Sequence, residues 1–559
     1  MGFTASYSYF FYLVFFRLGR LANGYPISTG RADPDFFRSI QSSFLCVTYC
    51  VAYVYRIIFS IIFTFTVGLW AAKNRRAEQI IIPAIDILQS IPVLSFLSIT
   101  VTGFIHLFPN SLLGPECASI FAIFCAQVWN MTFGFYQSVK TLPHDLKEVA
   151  SMFRLSAWQR FWKLEVPFSM SSLLWNMMVS MSASWFFVVL SEAISVAHQN
   201  IRLPGVGSYI ALAIQQRDLH AVGYAILTMV IVIFLYDQIF FRPLIAWSEK
   251  FKAETSHDEV EYQSWLVDWM RGSRLMKQFA EIIGVFTDHF VNARWLRLNE
   301  SKAIKEVDLK KQRRLDRFWG AFVLLCVCSG TWFLLRFILA ELKIADIIHV
   351  FLLGAATGTR VICLIILSSL IWIPVGVWIG LRPRIAQKIQ PVIQFVAAFP
   401  ANLFYPLFVI AIVKFHLNVE IWVTPLMILG TQWYILFNVI AGASAIPREL
   451  YLAADNFGLK GWLWWKRLAA PGIFPFYITG AITAAGGAWN ASIVAEFVSW
   501  GNTTLRATGL GEYIQASTAT GDFPKIALGT AMMCLYVLAF NHLIWRPLYR
   551  LAEERFNFN

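Results

Sequence analysis

The stretch PHDLKEVASMFRLSAWQRFWKLEVP at residues 143–167 returns, altered but in step, as PRELYLAADNFGLKGWLWWKRLAAP at residues 447–471. Each runs from proline to proline and reads as two short helices with a tight turn between them. In the second copy Gly458 supplies a residue suited to the left-handed region. In the first, Ser156 and Gln159 have capping-box spacing for the second short helix. Both stretches carry aromatic groups among polar ones, Phe153 and Trp158 in one and Phe457 and Trp462 in the other. One such loop would be explained by an interfacial helix lying on lipid. The same architecture at the same place in two copies favours a docking surface for a pair of identical partners.

The match extends outward from the loops. At a constant offset of 304 residues, Trp185 falls on Trp489, Glu192 on Glu496, Gly207 on Gly511 and Asp218 on Asp522. The register closes with Arg242-Pro243-Leu244 on Arg546-Pro547-Leu548. Upstream the offset becomes 308, placing Gly68 on Gly376, Trp70 on Trp378, Pro83 on Pro391 and Pro92 on Pro400. Tryptophan and proline do not coincide this often by composition alone, so the chain is two copies of one unit.

Composition says where those units lie. Of 559 residues, 58% are hydrophobic and 14% charged, against about 25% charged in a soluble domain. A soluble enzyme, a disordered chain and a fibrous protein are excluded. Apolar stretches long enough to span a bilayer run near residues 44–72, 85–108, 117–139, 170–197 and 219–241, then near 318–340, 354–381, 391–415, 420–443, 473–498 and 524–545. A shorter apolar stretch at residues 3–16, bounded by Arg17 and Arg20, lacks a basic n-region and a small-residue cleavage site, and reads as an uncleaved span. The expected fold is all-α and integral to the membrane, with about six plus six transmembrane helices. The expected units are 1–245, a charged and amphipathic cytoplasmic linker at 246–317, and 318–559. An even number of spans per copy gives both the same orientation, related by an axis along the membrane normal. Basic residues gather on the side of the two loops, which makes that side cytoplasmic. The net charge of +13 is explained by the same rule, without nucleic acid.

With these residues in place, the loops resemble the signature loop of ABC importer permeases: Glu-Ala-Ala, a Gly four residues after the last Ala, and a closing Pro. The first copy matches at Glu148, Ala150 and Pro167, with Val149 for the first Ala and Arg154 for the Gly. The second matches at Ala453, Ala454, Gly458 and Pro471, with Leu452 for the Glu. In that family the loop forms a coupling helix seated in a groove of a cytoplasmic ATPase. Arg154 is costlier than Gly in a left-handed turn, so the first loop is expected to adopt another turn or to couple less tightly. Trp489-Asn490-Ala491 leading to Glu496, Gly509-Leu510-Gly511, Asp522 and Trp545-Arg546-Pro547-Leu548 are similar to the nitrate, sulfonate, taurine and bicarbonate subgroup of the binding-protein-dependent, MetI-like type. The resemblance implies a non-enzymatic permease of a bacterial inner membrane, two ATPase copies, an external solute-binding protein, and a small anion as cargo. It also implies ATP and magnesium used by the partner, with no cofactor on this chain. In keeping with that, the sequence has no Gly-Lys dipeptide and hence no phosphate-cradling P-loop, and no HExxH.

Within the spans, Pro92 and Pro400 break equivalent helices and border a path or permit packing. Gln127, Trp129, Asn130, Gln432, Trp433 and Asn490 offer neutral donors able to bind an oxyanion without trapping it. Arg360 is expected to snorkel to the interface, with an anion contact as the alternative. Glu192 and Glu496 would repel an anionic cargo and are expected to cap or pair near the interface. Three rival readings remain at this level: an ion-coupled secondary carrier, a fused permease for ferric iron or thiamine, and a membrane enzyme, the last without any catalytic constellation.

Overall fold

The computed structural model describes residues 57–248, 284–292 and 309–556, apart from the isolated positions 110, 112, 197, 198, 204, 286 and 502. The apolar stretch at 3–16 and most of the linker lie outside the described residues. The first copy opens with α1 (Ile57–Lys73), which holds a π-turn at Thr64–Gly68. It continues with α2 (Arg75–Ser90), α3 (Val93–Leu107) and α4 (Leu113–Lys140). The loop supplies α5 (His144–Met152) and the one-turn α6 (Ala157–Arg160), and a π-turn at Phe161–Glu165 leads into α7 (Val166–Ser191). A two-stranded antiparallel hairpin follows, β1 (Ala193–Val196) with β2 (Gln199–Arg202), then α8 (Val206–Gln216) and α9 (Leu219–Ser248).

The second copy begins with α10 (Leu309–Leu339), α11 (Ile344–Gly380), α12 (Pro383–Ala398), α13 (Tyr405–Lys414) and α14 (Val419–Ser444). Its loop gives α15 (Arg448–Asn456) and α16 (Gly461–Trp464), then a π-turn at Trp465–Ala469 and α17 (Ala470–Ala495). The hairpin β3 (Phe497–Trp500) with β4 (Thr503–Arg506), α18 (Leu510–Thr520) and α19 (Phe523–Ala552) close it. From α5 onward every element of the first copy recurs 304 residues later with the same bounds, π-turns included, as far as Tyr236 and Phe540. The duplication is therefore structural as well as textual.

Among the described residues, seven helices are long and apolar enough to cross a membrane, and bent pairs raise the number to ten. Two of those pairs sit where the prolines predicted them. The chain turns by 101° between residues 75–89 and 93–107, and by 70° between 391–398 and 401–414. Short-range bonds shape the chain after each proline: Pro92 O accepts from Ser95 N (3.1 Å) and Ser95 Oγ (2.7 Å), and Pro400 O accepts from Leu403 N (3.1 Å). The apolar stretches near 170–197 and 473–498 were read as continuous spans. Each instead ends at Ser191 or Ala495 and turns into a hairpin. Trp185 and Trp489 anchor equivalent positions, both wholly buried. The two copies meet through buried contacts such as Ser98 Oγ with Thr518 Oγ1 at 2.9 Å, and Thr530 Oγ1 donating to Ser95 O at 2.8 Å.

Candidate functional site

The two loops are built alike down to single hydrogen bonds. In the first, Leu155 N donates to Ala150 O (3.1 Å) and Arg154 N to Ser151 O (2.9 Å), ending α5 in a Schellman turn. In the second, Leu459 N donates to Ala454 O (2.9 Å) and Gly458 N to Asp455 O (2.9 Å). Arg154 has φ +50° and Gly458 φ +64°. The expectation of a different turn in the first loop is thus corrected. Arg154 accepts the left-handed conformation because the helix-ending bonds on both sides of it demand that geometry.

Ala150 and Ala454 are buried, and Ala454 packs with Ile446, Leu468 and Ala469. Ala453 beside it is partly buried. Small side chains at these positions let the short helix lie close against the membrane helices. On the outer side Met152 and Phe153 are 79% and 75% exposed, and Phe457 is 81% exposed. Glu148 reaches solvent and pairs with His144 one turn earlier (3.1 Å). Burial pushes the Tyr451 phenol above its usual range, which marks the inner, apolar side of α15. Pro167 and Pro471 stand at the second position of α7 and α17, directly after the π-turns, where a missing N–H is tolerated. The tryptophans differ. Trp462 is 80% exposed, whereas Trp158 is covered by the linker, its Nε1 donating to Phe290 O at 3.2 Å.

At the opposite ends of α7 and α17 stand the two carboxylates. Glu192 Oε2 accepts from Gly207 N and Glu496 Oε2 from Gly511 N, both at 2.8 Å. Each carboxylate thus staples the start of α8 or α18 to the end of the long helix. Glycine is required there, because a Cβ at Gly207 would fall on the Val189 carbonyl. This is the capping role expected of both. Arg360 departs from expectation: it neither snorkels nor faces a path. It is buried, with Nη1 donating to Glu496 Oε1 and to Thr508 O, both at 2.8 Å, and Nη2 to Glu420 Oε2. Thr357 Oγ1 adds a bond to Glu496 Oε1 at 2.9 Å, and Thr508 N and Oγ1 donate to Glu420 Oε1 at 2.9 and 2.8 Å. A guanidinium fork held by two carboxylates is a closed structural unit.

The candidate path residues divide. Asn130 is engaged on both sides, accepting from Gln89 Nε2 (2.6 Å) and donating to Ser180 Oγ (3.1 Å). Gln432 accepts from Trp372 Nε1 at 2.9 Å, and Gln127 is wholly buried in α4. Pro92 caps α3. Pro400 and Asn490, by contrast, line one cavity with Ala183, Phe186, Phe187, Phe399, Tyr405, Thr431, Tyr434 and Gly487. Asn490 Nδ2 donates weakly to Gly486 O (3.4 Å), and its Oδ1 has no partner among the described residues. Ala183, Phe186 and Phe187 are the 304-residue counterparts of Gly487, Asn490 and Ala491, and all six line the same space. The cavity therefore straddles the line relating the copies. Sequence reasoning missed Phe186, Tyr405 and Tyr434, since aromatic residues in apolar spans carry no signal of their own.

Paired short helices on long membrane helices, repeated once, define a polytopic membrane protein built of two like units. The family model described as "Binding-protein-dependent transport system inner membrane component" matches residues 64–241 and again 372–551, and the chain belongs to that family as a duplicated permease. Curated relatives are more distant. The bicarbonate transport system permease protein CmpB of Synechococcus elongatus is 24% identical over 185 residues, 33% of this chain and 60% of that protein. The glycine betaine/carnitine transport permease protein GbuB of Listeria monocytogenes is 26% identical over 189 residues, 34% of this chain and 60% of that protein. The taurine transport system permease protein TauC of Escherichia coli is 27% identical over 171 residues, 30% of this chain and 57% of that protein. The match with this chain thus spans about 60% of the length of the first of these relatives.

Proposed function

We propose that this chain forms the whole solute pathway of an ATP-driven importer in a bacterial inner membrane, with two cytoplasmic ATPase copies docked on the loops at 143–167 and 447–471. The observation that carries this is the matched pair of Schellman-ended helices, each with its small residues inward and its phenylalanine outward. A rigid short helix of that kind converts movement of a docked ATPase into movement of the long helix that follows it. Hydrolysis of ATP with magnesium belongs to the partner, and an external binding protein delivers the solute. The cargo is a small anion of the nitrate, sulfonate, taurine or bicarbonate type, passing the cavity between the copies. Its lining has hydroxyls and an amide but no Lys or Arg, so it holds an anion weakly enough to release it.

A second reading of the cargo has its own support. Phe186, Phe187, Phe399 and Tyr434 surround the same cavity, and aromatic faces favour a cationic group, as a zwitterionic solute carries. Recovery of the tagged chain in mild detergent, followed by assay of the eluate, tests the importer. A stoichiometric pair of ATPase subunits with vanadate-sensitive hydrolysis is expected. A chain that elutes alone and transports in liposomes on an ion gradient overturns it in favour of a secondary carrier. Uptake of nitrate, bicarbonate, taurine and glycine betaine by the reconstituted complex then separates the cargo readings.

A further inference from the structure

The linker does more than connect. Its helical residues 284–285 and 287–291, with Asn292 at the end, lie against the second short helix of the first loop. Phe290 sets its ring edge-on to Trp158 (centroids 5.2 Å apart, 70°) and to Trp162 (5.8 Å, 71°), while its carbonyl accepts from Trp158 Nε1 at 3.2 Å. Asn292 Oδ1 accepts from Gln159 Nε2 at 3.0 Å and lies 3.4 Å from Lys163 Nζ. Gln159 is itself half of the capping box that opens α6, accepting from Ser156 N at 3.1 Å while Ser156 Oγ accepts from Gln159 N at 3.2 Å. The linker therefore grips the groups that fix the start of α6.

The second loop keeps the tryptophan but lacks the polar half of this grip. Lys460 stands where Ser156 does and makes no side-chain cap, and Leu463 stands where Gln159 does. Trp462 remains exposed. Among the described residues the docking tip of the first loop is left clear, since Met152 and Phe153 are exposed beyond the contact. The segment braces the loop from behind and does not block it.

We propose that residues 284–292 are a built-in brace for the first coupling loop, making the two ATPase-docking points unequal, the first pre-ordered and the second free to adjust. This rests on the reading of the loops as ATPase contacts, but the brace itself is measurable without any ATPase. Hydrogen exchange on the purified full chain, comparing wild type with Phe290→Ala plus Asn292→Ala, is the first arm. Loss of one edge-to-face aromatic cluster and one side-chain bond is expected to speed exchange at 155–163 by about fivefold and leave 459–467 unchanged. Phe290→Tyr, which keeps the ring, is expected to behave as wild type, so that a general folding defect is told apart from loss of the brace.

The second arm measures ATP hydrolysis per transported solute in the complex. The double variant is expected to hydrolyse ATP with poorer coupling. Unchanged exchange at 155–163 overturns the brace. Faster exchange with unchanged coupling overturns its role in docking. A wild-type chain that recruits no ATPase sinks the importer reading and leaves the exchange result standing by itself.

Discussion

At the scale of single residues, the first copy twice places arginine where the second places glycine: Arg154 against Gly458 and Arg217 against Gly521, all four with positive φ. An L-residue pays about 1–2 kcal/mol for the left-handed region, part of which glycine gives back in unfolded-chain entropy. Arg154→Gly is accordingly expected to raise stability by about 0.5–1 kcal/mol, read as a higher midpoint of thermal unfolding in detergent. A lower midpoint would mean that the Arg154 side chain makes a compensating contact. Glu496 is the opposite case. Glu496→Gln leaves Arg360 buried with one carboxylate fewer, and removing one partner of such a unit costs about 3 kcal/mol. A clearly lower unfolding midpoint is expected, and an unchanged one would show the network to be dispensable. The sequence marked Glu496 as a cap but could not place Arg360. Its partners lie 60 and 136 residues away, and nothing local distinguishes an arginine bound for a carboxylate from one bound for the interface.

Among elements, the long helices and the loops were legible because their signals are local. Continuous hydropathy marks a span, and two prolines bound each loop. The hairpins at 193–202 and 497–506 were not legible as strands. Their residues prolong the apolar run of the preceding helix, so hydropathy passes across the change without a mark, and only the glutamate at the junction hints at it. The bends at Pro92 and Pro400 were placed correctly but are far sharper than kinks. The difference between the loops yields a test at this scale. Trp462→Ala removes an exposed aromatic anchor and is expected to cost about 2 kcal/mol of ATPase binding, roughly thirtyfold in affinity. Trp158→Ala, where the ring already rests on Phe290, is expected to cost less at equilibrium. Titrating the purified ATPase against each variant checks the order, and equal losses would remove the distinction.

For the whole molecule, the cavity is where the two copies have diverged most usefully. The first copy contributes Ala183, Phe186 and Phe187 as a greasy wall, and the second contributes every side-chain polar group of the lining, Asn490, Tyr405, Thr431 and Tyr434, among apolar residues such as Phe399. Asn490→Leu is expected to raise the KM of uptake about fivefold, the worth of roughly one hydrogen bond, whereas Gln432→Leu leaves it near wild type because Gln432 serves Trp372. Equal effects at both positions would move the path elsewhere. The duplication also bears on how such an unlike pair comes together. Two separate polypeptides this similar, made in equal amounts and meeting at random, would join like with like in about half of the pairings, and greasy wall to greasy wall in about a quarter. Joining them in one translation product removes the sorting problem, so each copy always faces its complement and a membrane never carries the mismatched forms.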